Sequence, residues 1–228
     1  MMPSRSSLVT RLPSVTVQHL GAVPFTTTHQ QMLQLQQGIG ESRSDCHESL
    51  LLFEPSPVVT LGSKSNLDAL LISESTLKER GLEIEVVDRG GEATYHGPGQ
   101  ILAYPILQLP PSMRDLHRLL RGLETAVIET LEKWGIRARR DAQHTGVWVE
   151  DRKIASIGLS VRSWVTGHGL ALCHSGDLTP FEWIVPCGIR SCPVTSIERE
   201  LKTLPHREEV EALLADRLLD FFDREARR

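Results

Sequence analysis

Short apolar runs separated by polar breaks recur along the whole chain. Val15-Thr-Val-Gln-His-Leu20 reads as a first strand, ended by Gly21 and Pro24. Residues 25–37 place Phe25, Met32, Leu33 and Gln36 at loose helical spacing, with Gly38 as a stop. Leu50-Leu-Leu-Phe53 and Val58-Val-Thr-Leu61 are split by Pro55 and Pro57, which predicts two strands joined by a turn. The polar stretch Gly62-Ser-Lys-Ser-Asn66 precedes a short predicted helix ending at Arg80, with Gly81 in the stop position. Leu82-Glu-Ile-Glu-Val-Val87 and Ile101-Leu-Ala-Tyr-Pro-Ile-Leu107 flank a glycine-rich stretch, so strand, loop and strand is the simplest pattern there.

The second half carries the clearest helix. Leu116, Leu119, Leu120, Leu123, Val127, Leu131 and Trp134 recur at three and four, Ser112 and Asp115 have capping-box spacing, and Gly135 closes the segment. Gly146-Val-Trp-Val149 and the run from Lys153 to Val161 flank Glu150-Asp-Arg152, a hairpin signature. Leu170-Ala-Leu-Cys173 is a further strand, and Val210, Leu213, Leu214, Leu218, Phe221 and Phe222 share a face of a final helix. No repeat or internal linker interrupts the pattern. It predicts an α/β fold, a single domain with a mixed β-sheet flanked by helices, over residues 15–228.

Composition narrows the function. At 228 residues, 40% hydrophobic and 24% charged, the chain has the balance of an ordinary globular protein. A net charge of -4 argues against broad nucleic-acid binding, and no apolar run approaches the roughly 20 residues of a membrane span. The cysteines are Cys46, Cys173, Cys187 and Cys192, and free thiols are expected of a chain this size without a secretory signal. With His47, His168 and His174 they match no standard zinc-ligand spacing, so no metal is expected. Residues 1–14 hold Arg5, Arg11 and several serines, and the first acidic residue is Glu41. That is the composition of a mitochondrial presequence.

Candidate chemistry concentrates in three places. Glycines at 90, 91, 97 and 99 sit among Arg89, Thr94, Tyr95 and His96, which suits a loop that meets a ligand. Cys187 lies between Pro186 and Gly188, where a thiol can be exposed, whereas Cys173 sits inside an apolar run; Cys192 stays open. A thiol nucleophile needs a neighbouring cation or base. Lys153, at the start of an apolar strand, is a candidate, and His96 and His168 beside glycines are a base, a substrate contact or structural groups. The residues themselves reach a thiol-dependent enzyme with a glycine-rich ligand loop, without a substrate.

Three motifs in order take this further. They are Arg89-Gly-Gly-Glu-Ala-Thr-Tyr-His-Gly-Pro-Gly-Gln100, then Arg152-Lys-Ile-Ala-Ser-Ile-Gly158 leading to His168-Gly-Leu-Ala-Leu172, then Pro186-Cys-Gly-Ile189 leading to Val194-Thr-Ser196. This set resembles the lipoyl(octanoyl) transferases over nearly the whole chain. The resemblance implies a fold related to the biotin and lipoate protein ligases, and transfer of an octanoyl group from octanoyl-acyl carrier protein to a lysine of a lipoyl domain. It implies Cys187 as nucleophile of a thioester intermediate, and Lys153 as the group that favours the thiolate and shuttles protons. It implies an acyl site lined by Arg89, Gly90, Gly91, Glu92, Ala93, Thr94, Tyr95 and His96, by Ser156, Ile157 and Gly158, and by Gly169, Leu170 and Ala171. The family pattern places Asn after the position of Leu172, where this chain has Cys173-His174.

The resemblance implies no cofactor, because thioester exchange needs no ATP. Its partners are octanoyl-acyl carrier protein and the lipoyl domains of 2-oxoacid dehydrogenase complexes or the glycine cleavage H protein, with no nucleic acid and no membrane. Phe181-Glu-Trp-Ile-Val-Pro-Cys187 is similar to eukaryotic members. With the basic leader it implies the mitochondrial matrix, the alternative being a bacterial cytoplasm. Two other readings stand beside it: an ATP-dependent lipoate–protein ligase on the same fold, and a non-catalytic protein that binds acyl groups or lipoyl domains.

Overall fold

The computed structural model describes residues 14–65, 67–185 and 192–227. The leader therefore lies outside the described residues except for Ser14, the first residue of β1 (Ser14–Val23). α1 (Phe25–Gly40) follows, then β2 (Ser49–Pro55) and β3 (Val58–Leu61). α2 (Glu74–Glu79) leads to β4 (Glu83–Val86), β5 (Ala93–His96) and β6 (Gln100–Ile106). α3 (Leu116–Glu132), β7 (Arg139–Arg140), β8 (Val147–Val149), β9 (Arg152–Arg162) and β10 (Val165–Cys173) come next. α4 (Ile197–Glu200), α5 (Arg207–Phe221) and β11 (Glu225–Ala226) complete the described chain.

Eight strands form a mixed sheet in the order β11-β1-β2-β6-β10-β9-β8-β7, and β4-β3-β5 form a second, smaller sheet. Both faces of the large sheet are covered, and the strand sequences show why. In β2, Leu50 and Leu52 join the core beneath α3 and α5, while Leu51 and Phe53 join the core beneath α1. β6 divides in the same way, with Ile101 and Ala103 on one side and Leu102, Tyr104 and Ile106 on the other. Two opposite faces buried by alternate residues explain continuous apolar runs in place of apolar–polar alternation. Each fully buried leucine contributes on the order of 1.5–3 kcal/mol.

One local expectation holds with an addition, and two change. β2 and β3 are the two strands expected either side of the proline break, and that break carries the chain from the large sheet to the small one. Asp115 is not the third residue of a capping box. It is itself the N-cap of α3, accepting from the Arg118 amide at 3.1 Å, while Ser112 belongs to a preceding 3₁₀ turn. The glycine-rich stretch is not wholly loop, because residues 93–96 form β5, paired antiparallel with β3. Gly81 and Gly135 stand just past α2 and α3 at φ +79° and +77°, as helix stops require.

Candidate active site

β5 decides which side chains face the site. Ala93 and Tyr95 point into a third core with Val59, Leu61, Cys173 and Phe181, and the Tyr95 and Phe181 rings meet edge to face. Thr94 and His96 point the other way, into a narrow cavity between the small sheet and the β9–β10 hairpin. Arg89, Gly90, Gly91 and Glu92 form one wall of that cavity, and Ser156, Ile157 and Gly158 from β9 face Gly169, Leu170 and Ala171 from β10 on the others. The proposed acyl-site residues thus come together, except Ala93 and Tyr95, which the alternation of the strand turns away. Tyr104 and His168 also line the cavity. Sequence reasoning did not place Tyr104 there; the signal available was its position on the α1-facing side of β6.

The wall is held by short-range bonds. Ser63 and Lys64 donate their amides to the carbonyls of Arg89 and Gly91, and Gly90 donates to Leu159 O at 2.8 Å. Arg89 turns its guanidinium back onto β3, donating from Nη2 to Thr60 O at 2.9 Å and to Thr60 Oγ1 at 2.7 Å. Gly62 must be glycine here, since a Cβ would lie 2.5 Å from Gly91 O and 2.8 Å from Arg89 Nη1. Sequence reading took Gly62 as part of a plain polar loop.

Electrostatics follow from burial. Desolvation, with the Arg89 charge adding to it, lowers the His96 imidazole to about 3, so it is neutral at neutral pH. Burial also lowers His168, even though its Nε2 lies 2.9 Å from Asp88 Oδ1. The consistent arrangement is a neutral His168 donating Nε2–H to an ionised Asp88. That bond, with the nearby Arg162 charge, holds Asp88 down at about 2 against its burial. The Cys173 thiol is pushed up to about 12 by burial, which makes it a packing group and not a nucleophile.

Lys153 lies on the strand that supplies Ser156–Gly158, near its start, with only 3% of its surface exposed. A register shift in the β8–β9 pairing falls here: Val147 pairs with Ala155 and Trp148 with Lys153. Bulges of this kind re-aim side chains. The ammonium rests 4.8 Å from the centre of the Trp148 ring. The chain segment after residue 191 is stitched directly to it, with Lys153 N donating to Pro193 O at 2.8 Å and Thr195 N donating to Lys153 O at 2.9 Å. Cys187 lies outside the described residues, as does the 186–188 turn around it. Cys192 is buried beside Pro193. Arg139, Arg140 and Arg162 pair with Asp141, Glu124 and Asp88.

The model of the lipoyl protein ligase A/B catalytic domain family matches residues 28–218. The chain is 42% identical over 217 residues to an octanoyltransferase of Chloroflexus aurantiacus, covering 94% of this chain and 96% of that one. It is 39% identical over 220 residues to an octanoyltransferase of Myxococcus xanthus, covering 93% of this chain but 60% of that longer one. These relatives are bacterial and give no support to the mitochondrial expectation. The fold is similar to that of lipoate-protein ligase A bound with ATP, with a TM-score of 0.73, 15% identity and coverage of 95% and 88% of the two chains. It is more distantly similar to biotin protein ligase of Aquifex aeolicus, with a TM-score of 0.52, 11% identity and coverage of 92% and 69%. The chain belongs to the lipoyl protein ligase A/B catalytic domain family and stands among its octanoyltransferases, which are acyltransferases.

Proposed function

We propose that the chain transfers the octanoyl group of octanoyl-acyl carrier protein to a lysine of a lipoyl domain through a thioester on Cys187, the first step of endogenous lipoate formation. The observation that carries this reading is the buried Lys153 ammonium, tied by main-chain bonds to the segment that follows Cys187 closely in sequence. A cation there favours the thiolate. The thiolate attacks the incoming thioester carbonyl, and the carrier sulfur leaves as a thiol with a proton from the Lys153 ammonium, which is then the neutral base for the second step. The acceptor lysine then attacks the acyl-enzyme, its proton passes to a base, and the Cys187 thiolate leaves. Lys153 is the proposed relay for that proton. Thioester exchange is close to isoenergetic, so neither step needs ATP.

The cavity between the glycine-rich wall and the β9–β10 hairpin is the proposed acyl site, with Leu170, Ala171, Ile157 and the glycines supplying its apolar surface. The bacterial relatives favour the cytoplasm as the working compartment over the mitochondrial matrix. Residues 1–14 as a separate leader remain part of the proposal.

The test is intact-protein mass after mixing with octanoyl-acyl carrier protein without ATP. An octanoyl adduct on the wild type, absent from Cys187→Ala, is expected. Transfer that appears only with ATP and free octanoate would hand the chain to the ligase reading. For Lys153→Ala, slower acylation that partly recovers at higher pH is expected, and an unchanged pH–rate profile would remove Lys153 from the relay.

A further inference from the structure

His29, Asp88 and His168 are far apart in sequence and converge beside the cavity. One ring nitrogen of each histidine and one carboxylate oxygen of Asp88 lie within 4.8 Å of one another. They come from three independent elements: the first half of α1, the segment after β4, and β10. We propose that this trio is a binding site for a divalent transition cation of the zinc class, held by two imidazoles and one carboxylate.

Two nitrogens are buried there without a job. Among the described residues, neither His29 Nε2 nor His168 Nδ1 has a hydrogen-bond partner. Buried polar atoms normally find one, and an ion held by His29 Nε2 would answer for the first of these. The rings stand face to tilted face, with centroids 5.2 Å apart, and Tyr104 closes the other side of His168 edge-on. His168 has 1% of its surface exposed and holds φ at +56°, a conformation that a non-glycine residue keeps only where its surroundings impose it.

The donor set decides the ion. Two imidazoles and a carboxylate suit zinc, cobalt or iron and offer too few oxygens for calcium or magnesium. Arg162 Nη2 already sits 3.0 Å from Asp88 Oδ2, which leaves Oδ1 as the oxygen for a metal. Oδ1 and His168 Nε2 are 2.9 Å apart, already close enough for two ligands of one ion. Metal–ligand bonds of about 2.0–2.1 Å ask for ligand separations of about 3.3 Å in a tetrahedron, so His29, half-buried on its helix, must swing inward. Binding through His168 Nε2 needs the tautomer with the proton on Nδ1, and because an imidazolium cannot bind a metal, affinity must fall as pH falls.

Sequence spacing was silent about this site. The histidines weighed for zinc were His47, His168 and His174, and local spacing cannot see a trio drawn from residues 29, 88 and 168.

The test uses the full chain, stripped of metal with a chelator and titrated with Co²⁺ alone. Saturation near one equivalent is expected, with d–d absorption bands and no sulfur-to-cobalt charge-transfer band. His29→Ala and Asp88→Asn are each expected to weaken binding at least about tenfold. His29→Phe, which keeps ring volume against Phe25, gives the same loss should the alanine variant not fold. Absence of saturable binding, a thiolate charge-transfer band, or an affinity unchanged in folded His29→Phe would overturn the assignment.

Discussion

The Lys153 ammonium sits 4.8 Å from the centre of the Trp148 indole, and the two residues are direct cross-strand partners. The ring covers the cation on one side, and Gly146 leaves room on another: a Cβ there would come within 3.1 Å of Lys153 Cε. A partly desolvated cation–π contact is worth about 1–2 kcal/mol. Trp148→Leu is therefore expected to leave a folded protein whose octanoyl transfer is about five- to thirtyfold slower. Single-turnover acylation and circular dichroism on the same preparation check it. Unchanged transfer in a folded variant would show that the ring does not position the lysine.

Arg89 is the structural pin of the glycine-rich wall as well as part of its lining. Its guanidinium is buried, with Thr60 O and Oγ1 as acceptors. Arg89→Met keeps the apolar stem and strands both acceptors. Hydrogen bonds to charged groups contribute about 1.5–3 kcal/mol each, so a loss of about 3 kcal/mol in unfolding free energy is expected. Urea denaturation measures it, and a loss below about 1 kcal/mol would mean that the clamp is replaceable.

Gly169 and Gly21 separate two reasons for glycine. A Cβ at Gly169 would collide with the Ala103 carbonyl of the neighbouring strand and lie 2.8 Å from Pro105 Cδ, so Gly169→Ala must part β6 from β10. Gly21 holds φ at +67° with nothing within 4 Å of a Cβ, so Gly21→Ala meets only backbone strain. The expected costs are about 3 kcal/mol or more for the first and about 1 kcal/mol for the second. Thermal melts of the two variants check the order.

The buried histidines set the acid limit of the fold. His96 is lowered to about 3 by burial, and His29 and His168 are lowered as well. Each stays neutral in the folded chain and gains a proton in the unfolded one once the pH drops below about 6.5. Their contribution is complete above that pH and is lost as pH falls, for His96 down towards 3. Each such proton steepens the loss by up to about 1.4 kcal/mol per pH unit. Asp88, lowered to about 2, adds its own loss below the usual carboxylate range. Unfolding free energies taken from about pH 7 to about pH 5 are expected to fall, with a shallower slope in His96→Phe. A flat profile in the wild type would refute the neutral histidines.

Local signals carried the helices and strands, and contacts between distant segments did not show. The stripe from Leu116 to Leu131 and the stop at Gly135 are visible in the chain because helix periodicity is a property of neighbours. β5 was hidden because its apolar residues, Ala93 and Tyr95, pack against a small sheet that no local pattern announces. The separation of β2 and β3 into different sheets was hidden for the same reason: adjacent apolar runs do not say which sheet each will join. At the site, glycine density marked the right wall, while Asp88 and Tyr104 became site residues only through the three-dimensional meeting of β4, β6 and β10.

The Gly90 amide bonds to Leu159 across the boundary between the two sheets, and the cavity lies along that boundary. A crevice between sheets can widen while each ladder of strands stays whole, because the bonds that open are not those that hold either sheet together. Amide exchange at Gly90 then becomes a gauge of how often the crevice gapes, separable from global unfolding, and a long acyl chain seated there would slow that exchange by wedging nothing apart and sealing out water.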